Sequence, residues 1–163
     1  MRYFIGILLL AGSFVFAGSV DTDNTVNVVK HASTIPYTGH PIFIMFDSST
    51  CPYCKKTRKD LSSDPYLMDV AKGFDLYNIP RDEPQAYNIL GNDTTLQTLQ
   101  MVYKVKVTPN IVLLTSHGEK IWQLPGYVKP EVLGKIMNFV KGVDEGRYKK
   151  AEWKVYLKKN GLI

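Results

Sequence analysis

Two residues have the clearest capacity for chemistry: Cys51 and Cys54, the only cysteines in the chain, with Pro52 and Tyr53 between them. Thiols at this spacing can close on each other, attack a foreign disulfide in succession or contribute to a metal site. The surrounding residue types favour the redox use. A free thiol of pKa about 8.5 is mostly protonated at neutral pH until a helix N-terminus and neighbouring cations lower that value. Ser48, Ser49 and Thr50 are helix-capping types, Pro52 suits a first helical turn, and Lys55, Lys56, Arg58 and Lys59 follow within two turns. Cys51 is therefore the expected nucleophile, exposed at the helix start. Cys54, one turn further in, is placed to attack the resulting mixed disulfide and release the partner.

Other uses of the pair are weaker. A structural disulfide across so short a loop restrains little unfolded-state entropy. A closed zinc site wants four ligands, and only His31, His40 and His117 stand as further soft donors. Covalent haem attachment requires histidine directly after the second cysteine, where Lys55 stands. His40 and His117 read as solvated loop residues, Tyr53 as a shaper of the surface around the pair, and Trp122 and Tyr127 as hairpin and core packing.

These thiols must be positioned by the elements around them. Pro41–Asp47 is a continuous apolar run of strand length, the pattern of a central strand buried on both faces and flanked by helices. The helix carrying the cysteines spans Cys51–Ser62, and Asp64-Pro65 opens a second helical segment through Ala71. Phe74–Ile79 alternates as a strand. Pro80–Asp93 reads as a loop, with a turn of helix near Gln85–Leu90. Asp93 or Thr94 caps a helix that aligns Leu96, Leu99, Val102 and Tyr103. Thr108-Pro109 halts the chain before a hairpin of Asn110–Thr115 and Lys120–Leu124, turning at His117-Gly118. Pro130–Val140 is a helix, and the tail Asp144–Lys159 is expected to be helical, pinned by Trp153, Tyr156 and Leu157. Ahead of the first strand, Val26–Ala32 reads as a short helix or lead-in. The order predicts an α/β fold, a mixed sheet of about four strands flanked by helices.

The composition, 45% hydrophobic and 21% charged, is that of a globular domain. Residues 1–17 join Arg2, an apolar run from Tyr3 to Phe16, and small-residue positions ending at Ala17, which reads as an export signal cleaved near Ala17. A retained anchor is the weaker reading, because a spanning helix needs about 20 apolar residues. One domain, residues 18–163, is expected beyond the cut, in a compartment where disulfides persist. Between Gly18 and Val140 twelve Lys/Arg face twelve Asp/Glu, whereas Lys141–Ile163 holds seven against three. The positive excess thus lies in the tail, which argues against a nucleic-acid-binding face across the domain.

The strand Pro41–Asp47, the Cys51-Pro52-Tyr53-Cys54 motif, Thr108-Pro109 and the hairpin ending at Gly126 together resemble exported, periplasmic thioredoxin-fold proteins. The resemblance covers the whole chain beyond the signal and includes the thioredoxins of sulfur-oxidation operons, echoed by Gly39-His40-Pro41, Gly146-Arg147-Tyr148 and Trp153. Thr108-Pro109 also resembles the bacterial disulfide isomerases. The resemblance implies a thioredoxin fold, a catalytic pair Cys51 and Cys54, and a substrate-binding set of Pro52, Tyr53, Thr108 and Pro109. It further implies that Pro109 is cis and lies against the cysteines, and that the Thr108 backbone pairs with a substrate strand.

Departures narrow the match. Cytosolic thioredoxins carry a buried aspartate and a tryptophan where Met45 and Thr50 stand here, and Asp47 is read as lying on the opposite side of the strand, unable to replace that acid. Glutaredoxins share Cys-Pro-Tyr-Cys but carry a Gly-Gly pair that Ser116-His117-Gly118 does not reproduce. The stretch between the cysteines and Thr108 has no room for the helical insertion of the periplasmic oxidase. The segment before Pro41 has none for an isomerase dimerisation domain, so a monomer is expected. By resemblance the chain is a thiol:disulfide oxidoreductase, working without a cofactor beyond the Cys51–Cys54 redox disulfide. Its partners would be disulfide- or cysteine-bearing proteins and a membrane electron donor of thiol-disulfide type. The alternative is a binding module holding a metal ion or persulfide on the same cysteines, and a weaker third reading is a holdase with an apolar groove near Thr108-Pro109.

Overall fold

The computed structural model describes residues 29–163, so the expected export signal and cleavage point lie outside the described residues. The elements run β1 (Lys30–His31), β2 (Thr34–Ile35), β3 (Ile42–Asp47), α1 (Pro52–Ser63), α2 (Pro65–Ala71), β4 (Asp75–Pro80), β5 (Ala86–Ile89), β6 (Asn92–Thr95), α3 (Leu96–Val102), β7 (Asn110–Leu114), β8 (Lys120–Pro125), α4 (Pro130–Asp144), a 3-10 turn (Lys150–Glu152) and α5 (Trp153–Lys159). The fold is α/β, a mixed sheet flanked by helices, as the element order predicts. The sheet has five strands rather than about four, in the order β1-β4-β3-β7-β8, with β3 parallel to β4 and antiparallel to β7.

The extra strand is β1, which pairs with β4 where a helix or lead-in is expected. A second, unexpected sheet of order β2-β5-β6 places strand β5 where a loop with a turn of helix near Gln85–Leu90 is expected, and joins it to β2 ahead of the central strand and to β6. Its hairpin turns at Leu90-Gly91, both at positive φ, and Asn88 closes it by accepting from the Gly91 N–H. The sequence Tyr87-Asn88-Ile89 is too short for its alternation to stand out from a loop. The next helix is capped by Thr95 rather than Asp93 or Thr94, its hydroxyl accepting from the Thr98 N–H, because Asn92–Thr95 is taken up by β6. It buries Leu96 and Leu99 but leaves Val102 exposed. Arg147–Lys149 breaks the expected tail helix, because Gly146 at positive φ ends the preceding helix.

The sheet separates two cores. Phe43, Met45, Ile111 and Leu113 face α1, α2 and α4, packing with Leu61, Leu67, Met137 and Phe139. Ile42, Ile44, Phe46, Val112 and Leu114 face the small sheet and α3. Strict alternation along β3 and β7 thus fills both faces, which is why neither strand shows a polar side in the sequence. The C-terminal segment seals the first core with aromatic rings. Phe139 meets Tyr156 at 5.0 Å and lies 5.9 Å from both Trp122 and Tyr148, while Trp153 meets Trp122 edge-on at 5.7 Å. Gly142 makes this closure possible, since a Cβ there would stand 2.3 Å from the Tyr148 ring.

Candidate active site

The parallel pair β3–β4 and the antiparallel β7 and β8 bring four chain ends to one edge of the sheet. Past Asp47, the Ser48 carbonyl accepts from the Cys51 N–H at 3.1 Å, and this turn delivers Cys51 as the N-cap of α1. The Cys51 sulfur accepts from the Cys54 N–H at 3.1 Å, and Pro52 fills the first helical position, where a missing N–H leaves no acceptor unpaired. Cys51 and Cys54 are joined as a disulfide. Cys54 is fully buried and Cys51 only 6% exposed. The order of access is therefore as expected, but Cys51 is recessed rather than open, because its sulfur turns inward onto the Cys54 amide.

Asp47 departs from its expected place. Residues 43, 45 and 47 share one face of β3, since side chains alternate along a strand, and Phe43 and Met45 pack with Leu61 of α1. Asp47 is 5% exposed on that same face and forms an ion pair with Arg58 of α1, while its backbone carbonyl accepts from the Arg81 N–H at 2.8 Å. The buried acid thus stands two residues beyond Met45, on the side the sequence reading assigned to Met45 alone.

Of the remaining predicted residues, Pro52 and Tyr53 are exposed beside the disulfide. The Thr108–Pro109 peptide bond is cis, Pro109 is buried and Thr108 partly so. The Pro109 carbonyl accepts from the Gly126 N–H at 2.7 Å, fastening this segment to the end of β8. The next residue, Tyr127, stacks on Tyr53 with ring centres 5.7 Å apart, and its hydroxyl donates to Asp60 at 2.8 Å. Lys56 pairs with Asp60 at 3.1 Å and lies 4.8 Å above the Tyr127 ring. Tyr127, read from sequence as packing, is therefore part of the site. Only the fold could show this, because Tyr53 and Tyr127 come from separate elements. His40 and His117 are not among the residues gathered around the disulfide.

Four cations follow the cysteines along α1, but they do not act alike. Lys56 and Arg58 are held by Asp60 and Asp47, whereas Lys55 and Lys59 form no ion pair among the described residues.

Asp82, which no pattern singled out, ties the loop before Cys51 in place. Its carboxylate accepts from the Ser49 N–H at 2.9 Å and the Ser49 hydroxyl at 2.6 Å. The Ser49 hydroxyl, then its amide, hold the Asp82 carboxyl below its ordinary pKa. A depressed carboxyl favours this tether above the unfolded-state pKa and loses it as pH falls through the folded value. Ser49→Ala should raise the Asp82 pKa, read by carboxyl NMR titration. An unchanged value would show that the hydroxyl contributes nothing.

A family model described as a thioredoxin-like domain matches residues 29–141. Among solved structures, the chain is similar to a thioredoxin-fold protein from Helicobacter pylori at 21% identity and a TM-score of 0.72, covering 84% of this chain and 94% of that one. It is also similar to a thioredoxin-like protein from Clostridium perfringens, at 22% identity and a TM-score of 0.50 over 76% and 91% of the two chains. A thioredoxin from Thermus thermophilus shares 25% identity and a TM-score of 0.50, over 68% and 84%. The comparison with curated proteins gives no match.

Proposed function

The chain belongs to the thioredoxin-like domain family, and from that premise we propose that it is an exported thiol:disulfide oxidoreductase that reduces or exchanges disulfides in proteins of the periplasm. The observation that carries this reading is the Cys51–Cys54 pair at the N-terminus of α1, with the outer sulfur capping the helix and the inner one fully buried. A helix N-terminus favours the thiolate over the thiol, so the reduced pair is primed at Cys51.

The cycle balances as two successive exchanges. The Cys51 thiolate attacks one sulfur of a substrate disulfide, and the other substrate sulfur leaves as a thiolate that takes up a proton. Cys54, deprotonated in turn, attacks the Cys51 sulfur and breaks the mixed disulfide, releasing the second substrate thiol. Two electrons have passed to the substrate, and the enzyme is left as the disulfide present in this structure. A thiol-disulfide donor at the membrane restores the dithiol. Substrate backbone would pair with Thr108, and Pro52, Tyr53 and Pro109 would line its path. The export signal in residues 1–17 supports the compartment, and a monomer is the working state.

The redox equilibrium of the exported chain in glutathione buffers tests this reading, with the chain's mass recorded to locate the cleavage near Ala17. A potential of roughly −200 mV or lower is expected for a reductase or isomerase kept reduced by a donor. A much more positive potential would reverse the direction to an oxidase. A pair that does not exchange at all would sink the enzyme reading.

A further inference from the structure

Beside the cis Thr108–Pro109 peptide, at the edge of the sheet that carries the disulfide, lies a cleft of about 470 Å³ lined by Lys104, Lys106, Val107, Asn110, Gln123 and Pro125. Its charged groups are of one sign. Lys104 and Lys106 are exposed cations. The buried Asn110 side-chain oxygen accepts from Gln123 at 3.0 Å, which fixes the amide and leaves its N–H groups without a partner among the described residues. Arg81 adds a cation at the rim, donating to the Lys106 carbonyl at 3.3 Å. No acidic residue occurs from Thr94 to Gly118. Of the acids near the disulfide, Asp47, Asp82 and Glu83 line a separate cleft on the Ser49 flank, where Arg58 pairs with Asp47 and Ser49 engages Asp82, and Asp60 is held by Lys56 and Tyr127.

Lys104 stands where lysine is disfavoured. The end of α3 is closed by two hydrogen bonds, Lys104 N–H to Met101 and Val105 N–H to Gln100, the arrangement that places its penultimate residue in the left-handed region. Lys104 has φ 49°, a conformation glycine adopts without strain and a lysine does not. A cation is held at the cleft mouth against the backbone preference of its own turn.

Resting on the oxidoreductase reading, we infer that this cleft selects substrates, and that its occupant is an acidic segment of the partner protein flanking the disulfide to be reduced. The charge of the lining favours that occupant, and the cleft reaches Val107 and Asn110 on either side of Thr108-Pro109, where the oxidoreductase reading lays the substrate strand. A partner strand passing Thr108 carries side chains near its cysteine over Val107 and between Lys104 and Lys106. Opposed charges raise the encounter rate and fix the register of such a complex, and salt screens both effects.

The test uses two matched peptide disulfides, one with Asp and Glu flanking the cysteine and one with Lys, together with uncharged hydroxyethyl disulfide. At low salt the wild-type protein should turn over the acidic peptide with about tenfold higher kcat/KM than the basic one, and 0.5 M salt should erase most of the difference. Lys104→Gly/Lys106→Gln, which keeps the left-handed turn, should bring the ratio near unity. Lys158→Gln/Lys159→Gln on α5 should leave it unchanged. Equal wild-type rates on the two peptides, with normal reduction of hydroxyethyl disulfide, overturn this inference alone. A wild-type ratio that the cleft variant retains also overturns it. No exchange with any of the three disulfides overturns the oxidoreductase reading and this inference with it.

Discussion

Cys54→Ser should arrest the proposed exchange at its midpoint, accumulating a covalent complex between Cys51 and substrate that non-reducing electrophoresis and mass spectrometry detect. The expectation follows from the helix geometry. Cys51 caps α1 and is the only residue of the pair with any exposure to solvent, while Cys54 is fully enclosed behind it. Removing the buried thiol leaves the attacking one in place but deletes the group that would displace the product. Cys51→Ser should lower turnover by about three orders of magnitude or more, with no trapped partner, because no second thiol is positioned to begin the attack. A complex trapped through Cys54 in the Cys51 variant, at the rate seen in the Cys54 variant, would reverse the assigned roles.

Phe139→Ala carries the second large effect, this time on stability. Phe139 is fully buried between the sheet and the C-terminal segment, and three rings meet it within 6 Å. Truncating a buried phenylalanine costs about 3–5 kcal/mol, and the lost aromatic pairs place this site at the upper end of that range. Against a total stability of about 5–15 kcal/mol, the variant should unfold at a much lower urea concentration. The loss should also loosen Tyr148 and Tyr156, which pack on the same ring and hold the tail. Denaturant unfolding of the oxidised protein measures the change. A loss below about 1 kcal/mol would show that the tail aromatics close the cavity without this ring.

The central strand, the cysteine helix and the hairpin around the cis proline were legible because each carries a strong local signal. Ile42–Asp47 is apolar throughout, Pro52 marks a helix start, and Asn110–Leu114 follows a proline stop. The small sheet was not legible. Its strands are two to four residues long, and β6, Asn92–Thr95, is almost wholly exposed, so no hydrophobic period exists to detect. β1 was hidden for a related reason: two exposed residues pair by backbone alone, and backbone hydrogen bonds leave no mark on residue type. The misplacement of Asp47 differs in kind. Its face was readable from its even spacing to Met45, and the pairing with Arg58 explains how a carboxylate is tolerated there.

For the candidate site, the amino-acid order by itself determined the two thiols, their spacing, the helix N-terminus beneath them and the proline that ends the approach to β7. These depend on neighbours within a few residues, whose preferences are local. Only the tertiary structure decided that Cys51 is recessed as well as Cys54, that Tyr127 stacks on Tyr53, that Asp82 tethers Ser49, and that Lys104 and Lys106 meet Asn110 and Gln123 in a cleft without acids. The Tyr53–Tyr127 and Ser49–Asp82 contacts and the two walls of the cleft join residues far apart in the chain. Their meeting is set by strand order and register, which arise from burying two cores at once rather than from the preference of any single segment.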